Sequence, residues 1–299
     1  MFGALSSWDI WALASKLTAY VGCFLAIGST LYSLATPRLG EALKHRLRRV
    51  ILATAILGAV GSATQFAIQS GRLLDEGLAG MVDREMLALV WDAPLGTSVV
   101  LRLLGLIVLV AFALRIPVSG LFGILGALLT AAAFSFVGHG TGDPRIVLST
   151  LVTLHVLGIS FWIGALWPLH QAASGKTELD VAGKLAHRFG QQAAWVVGGL
   201  IIAGLVLAYL ITGSPSAVFN TQYGLTLLAK VAIVGALLAL AAANKLRFVP
   251  AMQAGDMMAA IHLRRSITLE MLAVVVILII TAVLTTITPL PETMEMTNG

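Results

Sequence analysis

Long apolar runs separated by short polar clusters repeat along the whole chain. Crossing a hydrocarbon core about 30 Å thick takes about 20 apolar residues of helix. The pattern predicts eight spanning helices, at residues 10–35, 50–69, 97–114, 118–137, 146–169, 193–212, 224–246 and 267–287. Ile116-Pro117 divides the third from the fourth, because proline lacks the N–H that a continuous helix needs. Residues 138–144, glycine-rich and ending in proline, divide the fourth from the fifth. With no internal repeat and no separate soluble domain in the pattern, residues 1–299 read as a single transmembrane domain of all-α class. Residues 71–92 read as an outer surface segment, in which Leu73–Trp91 is expected as an amphipathic helix, and 289–299 as an outer tail.

Composition makes the bilayer a requirement. Of the 299 residues, 58% are hydrophobic and 11% charged, and the mean hydropathy is +0.94. Soluble domains carry roughly 25% charged residues, so this chain has too little charge to cover a water-soluble globule. Its net charge of +5 does not point to nucleic acid, because the basic residues sit in short clusters between apolar runs, as anchors at an anionic leaflet do. Thirteen of the nineteen Lys and Arg residues fall in one set of loops, among them Arg46, Arg48, Arg49, Arg247, Arg264 and Arg265. Only Arg72, Arg84 and Arg145 fall in the other set. That bias predicts the first set in the cytoplasm and both termini outside. The outer loops are acidic, with Asp75, Glu76, Asp83, Glu85, Asp92 and Asp143. The first apolar run is long enough to remain as a span, so no cleaved leader is expected. A single cysteine, Cys23, excludes a disulfide or CxxC site within the chain and reads as core packing. Small residues such as Ser119, Gly123 and Gly126, or Gly198, Gly199 and Gly204, read as close helix contacts.

Chemistry has few places to reside. His45, His170, His187 and His262 fall in or beside the basic cytoplasmic segments, where solvated, lipid-facing or structural roles are expected. His139 ends the fourth span at the outer face, and His155 lies about nine residues into the fifth. Both imidazoles are thus expected in the outer half of the bilayer, on neighbouring antiparallel helices. They share a site if the loop between them folds inward. Imidazole suits copper, zinc, iron and nickel, and the bland alternative is a pair of satisfied interhelical hydrogen bonds. In the tail, Met294 and Met296 offer thioethers, which favour Cu(I). Four charges lie inside spans. Lys16, Arg102 and Lys230 are near the outer helix ends, where snorkelling to headgroups is the plain expectation. Glu270 is near the inner end of the last span, with Lys245, Arg247 or Arg265 as its expected partner. Three cations close to a copper ion would repel it unless acids such as Asp92 or Asp143 offset them.

The run His155-Val-Leu-Gly-Ile-Ser-Phe-Trp162-Ile-Gly164-Ala-Leu-Trp-Pro168-Leu resembles the histidine-to-tryptophan helix of the copper resistance protein D (CopD) family. Phe136-Val-Gly138-His139 resembles the segment before it. Tyr223-Gly224-Leu-Thr-Leu-Leu-Ala-Lys230 and Ala-Asn244-Lys-Leu-Arg247 are similar to the penultimate helix of that family. Arg264-Arg265-Ser-Ile-Thr-Leu-Glu270, with the apolar run ending at Pro289, is similar to its last helix, and Gly96 and Arg102 also fit. The likeness covers nearly the whole chain in order. It implies an inner-membrane protein of Gram-negative type that handles copper, commonly with a periplasmic copper-binding protein. By that analogy His139 and His155 are the favoured ligands, while Arg102, Trp162, Lys230, Asn244 and Glu270 are pattern positions without an assigned role.

The expectation is a multi-pass copper transporter of the cytoplasmic membrane, not an enzyme, with no nucleotide-binding motif for ATP coupling. The rival is a haem b electron-transfer protein, with histidines as axial ligands and Lys16, Arg102 and Lys230 on the propionates. A copper-binding sensor or assembly factor without transport is a third reading.

Overall fold

The computed structural model describes residues 6–74, 77–116, 119–137, 144–174, 179–212 and 222–286. All regular structure among them is helical, and eight helices are long and apolar enough to cross a membrane. In chain order the α-helices are α1 (Ser7–Ala35), α2 (Glu41–Leu74), α3 (Arg84–Asp92), α4 (Pro94–Ala113), α5 (Ser119–Ala132), α6 (Arg145–Ala172), α7 (Leu179–Thr212), α8 (Gln222–Ala243), α9 (Val249–Gln253) and α10 (Met257–Leu284). The short α3 does not span, and α8 and α9 are joined by a π-helical turn, Asn244–Phe248, into one spanning rod. The start of α1 and the end of α10 lie at one end of the bundle, called here the terminal end; the opposite end is the far end.

Several helices outrun their apolar cores. α2 begins at Glu41, so the basic stretch from Lys44 to Arg49 lies within its first three turns. α7 begins at Leu179, and α10 at Met257 behind an Asp256 cap that accepts from the Met258 N–H at 2.8 Å. Polar sequence ends the hydrocarbon contact without ending the helix, because Lys, Arg, Glu and Gln are good helix formers. α1 starts at a reciprocal cap: the Asp9 N–H donates to Ser6 Oγ and the Ser6 N–H to Asp9 Oδ2. Arg72 at the end of α2 pairs with Asp9 at 3.0 Å, which ties the two helices at the terminal end.

Residues 71–92 depart from a single amphipathic helix. α2 runs on to Leu74, a 3-10 turn covers Gly77–Met81, and α3 starts after Asp83, whose carboxylate accepts from the Met86 N–H at 2.9 Å. The Asp83 cap starts a new helix in mid-segment. Ser70 Oγ donates to the Gly80 carbonyl at 2.7 Å and fastens the turn back onto α2.

α1 is the centre of the packing, against α2 on one side and α6 on another. A Cβ at Gly22 would lie 2.1 Å from Gly58 N, and one at Gly28 would lie 1.8 Å from the Ser160 carbonyl oxygen. Gly164 meets the same crossing from α6, 2.1 Å from the Gly28 carbonyl carbon. Without a hydrophobic driving force between helices in lipid, such backbone approach supplies the attraction. Gly126 does pack closely, on Gly105 and Leu109, and Gly123 approaches Thr30, Leu34 and Phe112. Gly198, Gly199 and Gly204 differ from expectation: no described atom lies near their Cβ positions. α7 and the α8–α9 rod are the least enclosed spans, with Trp195 87% exposed. The two core clusters lie around Trp162 and Leu166 and around Cys23 and Leu109; Cys23 is fully buried.

The α1–α6 crossing yields a prediction. Gly164→Val destabilises the detergent-solubilised protein by about 1–3 kcal/mol, whereas Gly198→Ala leaves it no less stable. Thermal unfolding followed by circular dichroism measures both, and equal melting of the two variants would contradict this packing.

Candidate functional site

A helix turns about 100° per residue, and that arithmetic sorts the polar residues of α6. His155 and Trp162 are seven residues apart, so they share a face within roughly 20° and lie about 10 Å apart along the axis. The His155 face looks toward α8, where Lys230 lies within electrostatic reach of the imidazole. Its Nδ1 is buried and has no hydrogen-bond partner among the described residues.

The α5 side of α6 is different. A groove of about 450 Å³ is lined by Leu128 and Ala132 of α5, Ser135 and Phe136 of the 3-10 turn that follows it, and Ser149, Thr153 and Leu157 of α6. The α6 members of that groove project roughly opposite to His155. His139 lies outside the described residues, as do Met294 and Met296. A site shared by His139 and His155 therefore requires the 138–143 segment to reach around α6 toward α8. No three His, Cys, Asp or Glu side chains converge among the described residues.

Two turns beyond His155, three of the sequence-selected residues meet. Trp162 Nε1 donates to Glu270 Oε2 at 3.2 Å, and Asn244 Nδ2 donates to Glu270 Oε1 at 2.5 Å. All three side chains are buried, Glu270 at 3% exposure. The expected partners Lys245, Arg247 and Arg265 are not there. Lys245 and Arg247 lie on the π-helical turn beyond Asn244, and Arg265 faces outward one turn before Glu270. The carboxyl group thus has two neutral N–H donors and no cation among the described residues. A buried carboxylate without a counter-charge is costly, so the group gains from taking up a proton or another positive charge. Two more oxygens beside it, Asn244 Oδ1 and Ser266 Oγ, are also buried and unpartnered.

Local sequence explains the placement of Asn244. Pro250 has no N–H to give the preceding turn, and the register widens there: the Val249 N–H bonds the Asn244 carbonyl, five residues back. Such π-turns are frequent at functional sites. Lys230 and Asn244 are fourteen residues apart, again roughly one face of a helix. Lys230 and Asn244 thus reach toward the His155 and Trp162 levels of α6, with α10 supplying Glu270 and Phe189 of α7 packed 5.9 Å from Trp162.

Lys16 and Arg102 form a second, separate cluster near the terminal end. Arg102 does not snorkel: it is 1% exposed, with one terminal nitrogen on Gln65 Oε1 and the other on Ser98 Oγ, each at 3.0 Å. Its guanidinium carbon lies 4.4 Å from the centre of the Phe134 ring, which packs with Tyr20 and Phe24. Ser98 passes the hydrogen bond on to the Ala133 carbonyl at 2.6 Å, where α5 gives way to a 3-10 turn. Lys16 bonds the Thr285 carbonyl at 2.8 Å. Of the three intramembrane cations, only Lys230 accompanies His155. His45, His187 and His262 are exposed, and His170 accepts from Arg264.

The Trp162–Glu270–Asn244 contact was not foreseen from the sequence, although the seven-residue step from His155 to Trp162 and the fourteen-residue step from Lys230 to Asn244 were visible in it. Gln65 and Phe134, which hold Arg102, carried no comparable signal.

Comparison with known proteins bears on these features together. Residues 7–144 match the family described as Copper resistance protein D-like, N-terminal domain, and residues 183–284 match CopD, Copper resistance protein D. The chain is 28% identical to "Copper resistance protein D" of Pseudomonas syringae pv. tomato over 94% of its own length and 97% of that protein. It is 27% identical to "Inner membrane protein YebZ" of Escherichia coli (strain K12), over 93% of its length and 98% of that protein. No solved structure matches it. With two matches that take in all the helices but α6, and full-length likeness to both relatives, the chain belongs to the copper resistance protein D (CopD) family and builds it as an eight-span helical bundle.

Proposed function

We propose that this protein carries copper across the cytoplasmic membrane, along the interface of α6, α8 and α10. One observation carries the reading: a buried, unpartnered imidazole nitrogen on His155 shares a face of α6 with the buried Trp162–Glu270–Asn244 cluster. Imidazole is a copper ligand, and a carboxyl group without a resident cation can offset the charge of an ion passing the middle of the bundle. Two stations of moderate strength suit transport better than one tight site, which would trap the ion. The names of the two relatives, copper resistance protein D and an inner membrane protein, support the cargo and the location.

In this reading both termini lie on the periplasmic side, as the thirteen-to-three bias of Lys and Arg favours. Copper arrives there, from a periplasmic copper-binding protein, at Met294 and Met296. It passes to His155 with His139 as the second ligand, then to Glu270. Lys230 beside His155 makes occupancy conditional, since a cation there opposes a copper ion unless the lysine is neutral or displaced.

That same lysine favours the haem b reading, because a propionate would pair with it while His155 served as axial ligand. The two readings part in one preparation. Copper per chain and the visible spectrum are measured on the purified parent, His139→Ala and His155→Ala. The copper reading expects bound copper, weakened in each variant by more than the roughly 10- to 100-fold that loss of an outer-shell partner costs, and no Soret band. A Soret band lost in His155→Ala establishes haem instead. A second prediction concerns movement. Glu270→Gln keeps copper bound at His155 but lowers uptake into proteoliposomes to the level of empty vesicles. Unchanged uptake would remove Glu270 from the path, and binding without flux in the parent would leave a sensor or assembly role.

A further inference from the structure

At the far end of the bundle, where α6 finishes and α7 and α10 begin, lies a pocket of about 600 Å³. Its polar lining is His170, Ser174, Arg264, Arg265 and Thr268. The hydroxyls are already committed as donors, Ser174 to the Gln171 carbonyl at 2.7 Å and Thr268 to the Arg264 carbonyl at 3.0 Å. Arg264 Nε donates to His170 Nε2 at 3.3 Å, so that nitrogen is an acceptor and the ring is neutral, its proton on Nδ1. The donors left to face a ligand are guanidinium N–H groups and the Nδ1–H of His170. Neither arginine is in an ion pair among the described residues; the four pairs there join Lys44 and Arg115 to Glu41, Arg72 to Asp9, and Lys184 to Asp180.

Two forked cations without an acid partner select a phosphate oxyanion. The rest of the lining says which kind. Leu179, Met257 and Ile261 give the pocket an apolar side, and Met257 and Ile261 are 68% and 41% exposed. Arg264 and Arg265 immediately precede the apolar run of α10, and Trp167 stands one turn before His170 on α6, the position of an interfacial aromatic. Charge and grease thus meet where headgroup meets acyl chain.

We propose that this pocket seats the headgroup phosphate of an anionic phospholipid, with Arg264 and Arg265 as its fork and the apolar side against the first part of an acyl chain. Basic pockets between spanning helices take such headgroups. The seat has a structural consequence. Arg264 reaches from α10 to His170 on α6, and these helices also hold Glu270 and Trp162. A lipid on Arg264 and Arg265 braces the interface that carries the buried cluster.

The test uses the full-length protein, delipidated in detergent, with bound lipid counted by native mass spectrometry. Phosphatidylglycerol, phosphatidylcholine and inorganic phosphate are the three probes. The parent retains phosphatidylglycerol about tenfold or more over phosphatidylcholine, and inorganic phosphate at equal concentration does not displace it. Arg264→Ala/Arg265→Ala loses the preference, whereas Arg46→Ala/Arg49→Ala, an exposed basic pair on α2, keeps it. Equal retention of the two lipids by the parent overturns the proposal, as does displacement by inorganic phosphate, which marks a free-anion site. An unchanged preference in the Arg264/Arg265 variant overturns it too. Should the alanine variant fail to fold, Arg264→Lys/Arg265→Lys replaces it, expected to lose part of the preference with the fork.

Discussion

Inside a bilayer a buried polar side chain has no water to turn to, so each one must find a partner within the protein or wait for a ligand. That constraint sorts the interior of this bundle into two kinds of site. Arg102 is held by Gln65, Ser98 and the face of Phe134, a set of neutral partners that anchors α4 to α2 and to the end of α5. Glu270 is held by two N–H donors, with Asn244 Oδ1 and Ser266 Oγ beside it and His155 Nδ1 two turns away left without partners. Arg102 also keeps one unpartnered nitrogen, Nε, so neither site is fully satisfied. They differ in sign: the first buries a cation among neutral partners, the second a carboxyl group.

The bundle keeps these groups apart by its helix pairing. Backbone contact at Gly28 and Gly164 fixes α6 against α1, and elsewhere α6 packs on α7 and α10. The spans with the most outward-facing surface, α7 and the α8–α9 rod, lie in that second half. The family matches cover residues 7–144 and 183–284. His155 and Trp162 therefore lie on the one spanning helix between the matched segments, facing matched positions Lys230, Asn244 and Glu270.

Much of this was readable in the chain itself. Apolar run length alone sets the number of spans, because the bilayer imposes one length on all of them. The true helix ends were not readable, since Lys44 to Arg49 and the first turns of α7 and α10 stay helical after leaving the apolar stretch. His155 stood out as an imidazole within a span, but its neighbours depend on which way α6 is turned, and that is decided by glycines at Gly28 and Gly164 rather than by the histidine. The expected ion partners of Glu270 failed for a related reason. Depth arithmetic places residues along a helix and says nothing of their azimuth, and the π-turn before Pro250 shifts Lys245 and Arg247 away from the carboxyl group. Similar logic separates Lys16 and Arg102 from Lys230, although all three lie at like depth.

X-ray absorption at the copper edge of the loaded, purified protein reads the atoms around the metal. Copper held at His155 gives nitrogen ligation with the multiple-scattering signature of imidazole, diminished in His155→Ala. Copper surrounded by sulfur or oxygen alone, with no imidazole signature in the parent, would contradict that placement.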